Sequence, residues 1–471
     1  MIFKLALRSL AVRPVRTAVL ACGFGLGIAV MAELLGVGDV ILDQARSPAL
    51  QGGGDLVMSG AFGAIDNAPY VLSVVRGATA ASSSQVVAAS PSRRASVYLI
   101  KPGQVVPILA RGGVPSLEKA VGDGEVAGSD AWVDTPADAR WTKVDPAAVL
   151  RSMDRFHRPP DVPEFSSSWA EWLYFNGRTA DGRVRFYLTF MVGPSPRPGV
   201  RSASVRLQLD RDGQVRNYGT RAELDEQVVL DGAPDLEIGG NQVRLDGVRY
   251  HIGLNLRDEA EASSGNASGV KAQLTLDPDE GRSLPPAVIR GARGWLSGYV
   301  VPVLSGRMSG RLTVGAETIS IEGARGYHDH NWGFWRDVRW QWGQVGDGDL
   351  SLVYGRVFPP ADVADPDRMP GFLGVLDRQG LVGVATNVTI VESREDGRPG
   401  APDAINVTAR GSAVDLRLAF TVDRSIRTGL AMTGGTNDFL QMGGTYRVEG
   451  RAGGRTIDFT ARGAAETFRP R

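Results

Sequence analysis

Two of the four histidines in this 471-residue chain stand two positions apart, within Gly326-Tyr327-His328-Asp329-His330-Asn331-Trp332-Gly333. Trp335, Trp340 and Trp342 follow closely. Groups of this kind are costly to bury without partners. In an extended chain side chains alternate, so His328 and His330 share one face and Asp329 and Asn331 the other. Three uses stay open. One is a polar network that fixes the fold, with Asp329 holding the N–H groups of a turn or a neighbouring strand. Another is acid–base chemistry, since a carboxyl desolvated by indoles beside imidazoles has a pKa moved towards neutrality. The third is a metal held by His328 and His330 with Glu171 or Glu322. Two histidines without a clear third ligand do not define such a site, so neither a metal nor a cofactor is expected.

The elements that must position these residues are strands. Sixty glycines and 27 prolines point to many turns, and turns are densest in all-β folds. From Trp169 onward, aromatic and alternating runs meet at Asp181-Gly182, Asp212-Gly213 and Asp246-Gly247, which read as hairpin turns. Tyr250, Ile252, Leu254 and Leu256 share one face, and His251 points the other way. The stretches 172–190 and 340–358 resemble each other, suggesting two related β-units. The chain exceeds what one core usually supports. The expected fold is therefore all-β, two antiparallel barrels or sandwiches in series, at 165–290 and 291–471, with no long amphipathic helix. Residues 43–164 read as linker and small packing elements. Within them, 92–113 form two short strands around Pro102-Gly103. A short helix runs near 146–156 with Asp145 as N-cap and Pro146 at N1. His157, at its end, reads as structural.

Fifty-two basic and 52 acidic residues balance, which argues against a nucleic-acid partner. The one cysteine, Cys22, excludes an intrachain disulfide. Residues 1–16 form a basic stub with Lys4, Arg8, Arg13 and Arg16, and 17–32 carry no charge. With continuation to 42 this run is long enough for an uncleaved transmembrane anchor. The basic flank puts the amino terminus in the cytoplasm and the bulk of the chain on the periplasmic or extracellular side of the inner membrane. The first 60 or so residues resemble the first span of a MacB/FtsX-type ABC exporter permease. No second apolar run of adequate length follows, so the resemblance implies an origin or a partnership with exporter subunits.

GYHDHNWG, together with Glu171-Trp172-Leu173-Tyr174-Phe175-Asn176-Gly177, resembles the AttH/carotenoid 1,2-hydratase-like family over about residues 165–470. Leu173 stands where members usually carry a second Trp. The resemblance implies two lipocalin-like domains of the calycin type, with both motifs lining one pocket between them. Ligand contacts would come from Trp172, Tyr174, Asn176, Tyr327, Asn331 and Trp332. In the family's hydratases water adds across an isolated C=C bond. Asp329 or Glu171 would then be the acid and His328 or His330 the base, with Trp172, Tyr174 and Trp332 facing the cation. The primary expectation is a membrane-anchored extracytoplasmic protein that binds a hydrophobic lipid or isoprenoid and serves an ABC exporter. The alternative is a hydro-lyase or cyclase acting on an isoprenoid C=C bond. A purely structural assembly partner would lack a pocket of several hundred Å³.

Overall fold

A computed structural model describes residues 15, 56–59, 65, 68–77, 86–101, 104–122, 131–142, 145–260, 269–394, 400–432 and 435–470. The anchor expected at 17–42 lies outside them. Among the described residues no helix is long and apolar enough to cross a membrane. The chain divides into two compact units. One contains the hairpin in which Ser92–Lys101 pairs with Gln104–Gly113, Lys101 opposite Gln104, as the Pro-Gly turn predicts. The other holds residues 65–87 and 139–471 and carries everything that follows.

Eight antiparallel strands of this second unit close on themselves: β1 (Trp169–Arg178), β2 (Val184–Val192), β3 (Val200–Arg211), β4 (Gln214–Asp225), β5 (Arg249–Asp258), β6 (Gly269–Pro278), β7 (Leu296–Val314) and β8 (Ala324–Phe334). Pairing of β4 with β5, β5 with β6, and β8 with β1 completes the ring. Closure removes the exposed edges that an open sheet would leave. The turn between β3 and β4 has Asp212 and Gly213 at φ 51° and 89°, both left-handed. An Asp-Gly pair adopts that conformation at least cost.

Nine further strands form a second sheet: β9 (Arg339–Asp347), β10 (Leu350–Phe358), β11 (Phe372–Asp377), β12 (Gly380–Ala385), β13 (Asn387–Ser393), β14 (Ala404–Arg410), β15 (Val414–Met432), β16 (Gly435–Ala452) and β17 (Arg455–Pro470). Their spatial order is β12-β11-β10-β9-β17-β16-β15-β14-β13. The chain is thus all-β and lipocalin-like, with the two look-alike stretches forming the hairpins β1–β2 and β9–β10.

The boundary expected at residue 291 needs correction. It falls inside the first barrel, because β7 pairs with β6 and β8 pairs with β1. The GYHDHNWG segment finds its partner in the strand that opens the barrel, not in those that follow it. The part of the expected linker from 139 to 164 is also integral to this unit. Its helix Pro146–Met153 starts as expected, with the Asp145 carboxylate accepting from Ala147 N–H at 3.0 Å. Val149, Leu150, Met153 and Phe156 then join the barrel core. That core lies inside the ring, from Leu173 and Phe175 across to Leu254 and Leu276. A second core fills the other sheet. A third, with Tyr174, Tyr187, Tyr327, Trp342 and Val353, packs the outer face of β1, β2 and β8 against β9 and β10.

Candidate functional site

The antiparallel register of β1 with β8 brings the two motifs together residue by residue. Asn176 stands opposite Tyr327, Tyr174 opposite Asp329, and Trp172 opposite Asn331. Period-2 alternation then sorts them onto two faces. Glu171, Leu173, His328, His330 and Trp332 point into the barrel, while Trp172, Tyr174, Asn176, Tyr327, Asp329 and Asn331 face the second sheet. The expected pairing of Asp329 with a histidine base is therefore not formed. Trp332 is also separated from Trp172 and Tyr327 by the thickness of a strand.

The inner face is a network of charges. His328 Nε2 lies 2.9 Å from Asp154 Oδ2, which also accepts from the Tyr250 hydroxyl at 2.6 Å. His328 Nδ1 meets Tyr174 C=O at 2.9 Å. His330 contacts Glu171 Oε1 at 2.9 Å and Met153 C=O at 3.1 Å. Each ring thus meets an oxygen at both of its nitrogens, one of them a carboxylate oxygen. Burial by itself would raise both acids. For Asp154, His328, His330 and Tyr250 together outweigh burial and hold it below the ordinary range. For Glu171 His157 does so first, then His330.

His157 is more than a helix-end residue. Its Nδ1 contacts Glu171 Oε1 at 2.7 Å, its N–H donates to the same carboxylate, and its ring stacks on Trp332 at 4.2 Å. His157, Glu171 and His330 offer ligand atoms within 4.8 Å of one another. In the structure those atoms are engaged with each other. Glu322 is elsewhere, exposed and accepting from Gly310 N–H at 3.1 Å. The Trp332 ring leaves no room at Gly298, where an added Cβ would lie 2.1 Å from Trp332 Cε2. Gly298→Ala is expected to destabilise the barrel by about 1–3 kcal/mol, read as a lower denaturation midpoint.

The outer face has the opposite electrostatics. Asp329 is buried, and its side chain contacts the Tyr327 hydroxyl (2.7 Å) and Asn331 Nδ2 (2.7 Å). Neither partner is a cation, and among the described residues no backbone N–H donates to the carboxyl. Burial, followed by the nearby carboxylate of Glu466, pushes Asp329 well above the usual range, against the pull of its two hydrogen bonds. Glu466, on β17, accepts hydrogen bonds from the Tyr174 hydroxyl and from Gln441 Nε2. Burial raises it to about 7.

From Asp329 a hydroxyl chain continues through Tyr327 to Tyr299 at 3.1 Å, where Trp342 Nε1 donates at 2.8 Å. With Asp329 ionised, every hydroxyl in the chain can donate towards it. With Asp329 protonated the chain reverses and frees the Tyr299 proton, and Tyr299 is the half-buried end of the chain. Beyond Asn176, the same face opens into a small cleft of about 70 Å³ that is walled by both sheets and open to solvent.

Sequence reasoning missed Asp154, Glu466, Tyr299 and Gln441. Only Glu466 carried a signal, as an acid between Ala464 and Phe468 on the inward face of a strand.

No protein-family model and no curated protein matches the chain. Among solved structures it is similar to a protein described as an AttH from Nitrosomonas europaea, at 17% identity and a TM-score of 0.44. That alignment covers 66% of this chain and 96% of the other. Kievitone hydratase from Nectria haematococca aligns at 13% identity and a TM-score of 0.42, covering 67% and 96%. CghA aligns at 13% identity and a TM-score of 0.44, covering 67% and 94%.

Proposed function

We propose that the face between the two sheets performs acid–base chemistry on an unsaturated apolar ligand of isoprenoid type, hydrating or cyclising at a C=C bond. The observation that carries this reading is Asp329, a buried carboxyl with only neutral hydrogen-bond partners and a second raised carboxyl, Glu466, nearby. Two raised carboxyls on one face can serve as proton donor and proton acceptor. Asp329 in its acid form gives a proton to one alkene carbon, directly or through the Tyr327 and Tyr299 hydroxyls, and the π pair becomes the new C–H bond. The adjacent carbon becomes a cation beside the faces of Tyr174, Tyr299 and Trp342. A water oxygen bonds to that carbon and its proton passes to Glu466. Return of that proton to Asp329 through solvent closes the cycle, so alkene plus water gives alcohol. If a carbon beside the cation loses a proton to Glu466 instead, the product is a rearranged alkene; if the π pair of a second C=C in the ligand first bonds to the cationic carbon, the new cation loses its proton to Glu466 and the product is a cyclised alkene. In the same reading residues 17–42 tether the chain where such a substrate dissolves. Association with exporter subunits rests on residues 1–60 alone.

The test is incubation of the full chain with squalene in ¹⁸O-labelled water, followed by mass spectrometry. Gain of one labelled water is the expected result. Against pH, kcat/KM should rise through about pH 7 as Glu466 ionises. Glu466→Gln should lose that limb. The binding reading wins instead if an apolar molecule co-purifies at the same mass with wild type and Asp329→Asn and no label enters.

A further inference from the structure

We infer that the open end of this cleft is a binding site for an oxyanion, carboxylate or phosphate, carried on the apolar ligand. The inference rests on the reading of the face as a ligand site and adds the ligand's charged end. Arg325, Arg178 and Arg185 stand directly opposite one another across β8, β1 and β2. Arg462 of β17 joins them in lining the cleft. Like charges in register across strands are destabilising, so three in a row call for a counter-charge.

Little of that counter-charge is present. Among the described residues Arg178 and Arg185 have no ion-pair partner. Asp210 stands opposite Arg185 on β3, but its carboxylate accepts from Gly213 N–H and lies 3.6 Å from Arg424. Arg462 is paired with Asp423, and Arg325 reaches only Gly346 C=O at 3.4 Å. Arg185 is only 6% exposed and its Nε has no hydrogen-bond partner. Its head is accommodated by a glycine of the second sheet: a Cβ on Gly443 would fall 1.6 Å from Nη1. Burial, and after it the three neighbouring guanidiniums, lower Arg178 to about 10. A buried guanidinium without a partner, in a cleft open to solvent, matches the planar two-point geometry of a carboxylate or phosphate.

Strand alternation connects this end to the acids. Arg178, Asn176 and Tyr174 share a face of β1; Arg325, Tyr327 and Asp329 share one of β8; Arg462, Ala464 and Glu466 share one of β17. Each run spans four residue steps, roughly 13 Å at the usual strand rise. The ligand then carries its acidic head about 13 Å from the bond that reacts.

The test is calorimetric titration of the full chain with decanoate, methyl decanoate and inorganic phosphate, for wild type, Arg178→Met and Arg185→Met. Wild type should bind decanoate at least about tenfold more tightly than its ester, and each variant should lose that preference. Ester bound as tightly as acid by wild type overturns the arginine site and leaves the apolar-ligand reading standing. Phosphate bound with both decanoyl probes unbound keeps the arginine site and overturns the apolar-ligand reading. A preference that survives in both variants, or no binding of either anion, overturns the inference. Unfolding is excluded as a cause by melting the free proteins. Arg178→Met, relieved of like-charge repulsion, should melt about 2–4 °C above wild type, whereas a structural role for Arg178 predicts a fall.

Discussion

Asp329→Asn is expected to lower turnover of an unsaturated apolar substrate by a factor of roughly 10²–10⁴, the usual range for a positioned proton donor, while leaving the fold intact. The side chain keeps its shape. Its oxygen still accepts from Asn331 Nδ2, and its new N–H₂ donates to the Tyr327 hydroxyl in place of the acid proton. What is lost is the proton that can leave. Stability separates this role from a structural one. A carboxyl raised by burial contributes stability that is fully present below its ordinary pKa and is lost as pH rises through its raised value. Wild type should therefore weaken on the alkaline side, and Asp329→Asn should weaken less. Melting curves from pH 5 to 9, taken with turnover at each pH, test both halves. Unchanged turnover sinks the assignment. So does a variant that melts far below wild type at pH 7, because that outcome describes an ionised Asp329 held by its hydrogen bonds.

The sequence made some of this legible and hid the rest for a physical reason. Period 2 is visible along a strand, so the separation of His328 and His330 from Asp329 and Asn331 could be read directly. So could the Asp212-Gly213 turn and the Asp145 cap, because each depends on a few adjacent residues. Which face meets what is a non-local fact. Glu466 reaches Tyr174 across 292 positions and Asp154 reaches His328 across 174, and nothing near Asp154 in the chain announces a barrel interior. Carrying Glu171, the histidines and Asp329 into a single site therefore joined groups that the strand holds on opposite sides. The boundary at 291 failed similarly. Hairpin patterns are local, but the strand that closes a barrel pairs with one 150 residues earlier, as β8 does with β1. The arginine row is three unremarkable surface-type residues until β8, β1 and β2 align them.

Asp154→Asn is expected to cost the protein about 3–5 kcal/mol, the range for removing one partner from a buried ion pair. At the usual slope this lowers the melting midpoint by roughly 6–20 °C. Asp154 is fully buried and faces His328 at 2.9 Å, His330 at 3.6 Å and the Tyr250 hydroxyl at 2.6 Å. Asparagine keeps an acceptor for Tyr250 but not the charge, leaving His328 without its carboxylate in a closed aromatic interior where Phe175 stacks on it at 4.1 Å. The sign of the pH dependence is opposite to that of Asp329. Asp154 and Glu171 are held below their ordinary values, so their contribution is fully present above the ordinary carboxylate range and is lost as pH falls through the depressed values. The gap between wild type and Asp154→Asn should therefore be widest near neutrality, begin to narrow below about pH 4 and close only as pH falls through the depressed values. Chemical denaturation at pH 7 and pH 3.5 measures it. A variant within about 1 kcal/mol of wild type at pH 7, or a gap that stays constant into acid, would show that the histidines are neutral and the pairs ordinary hydrogen bonds. The barrel interior would then be free to give up a proton, and the inner face, with His157, Glu171 and His330, would become the better place to look for chemistry.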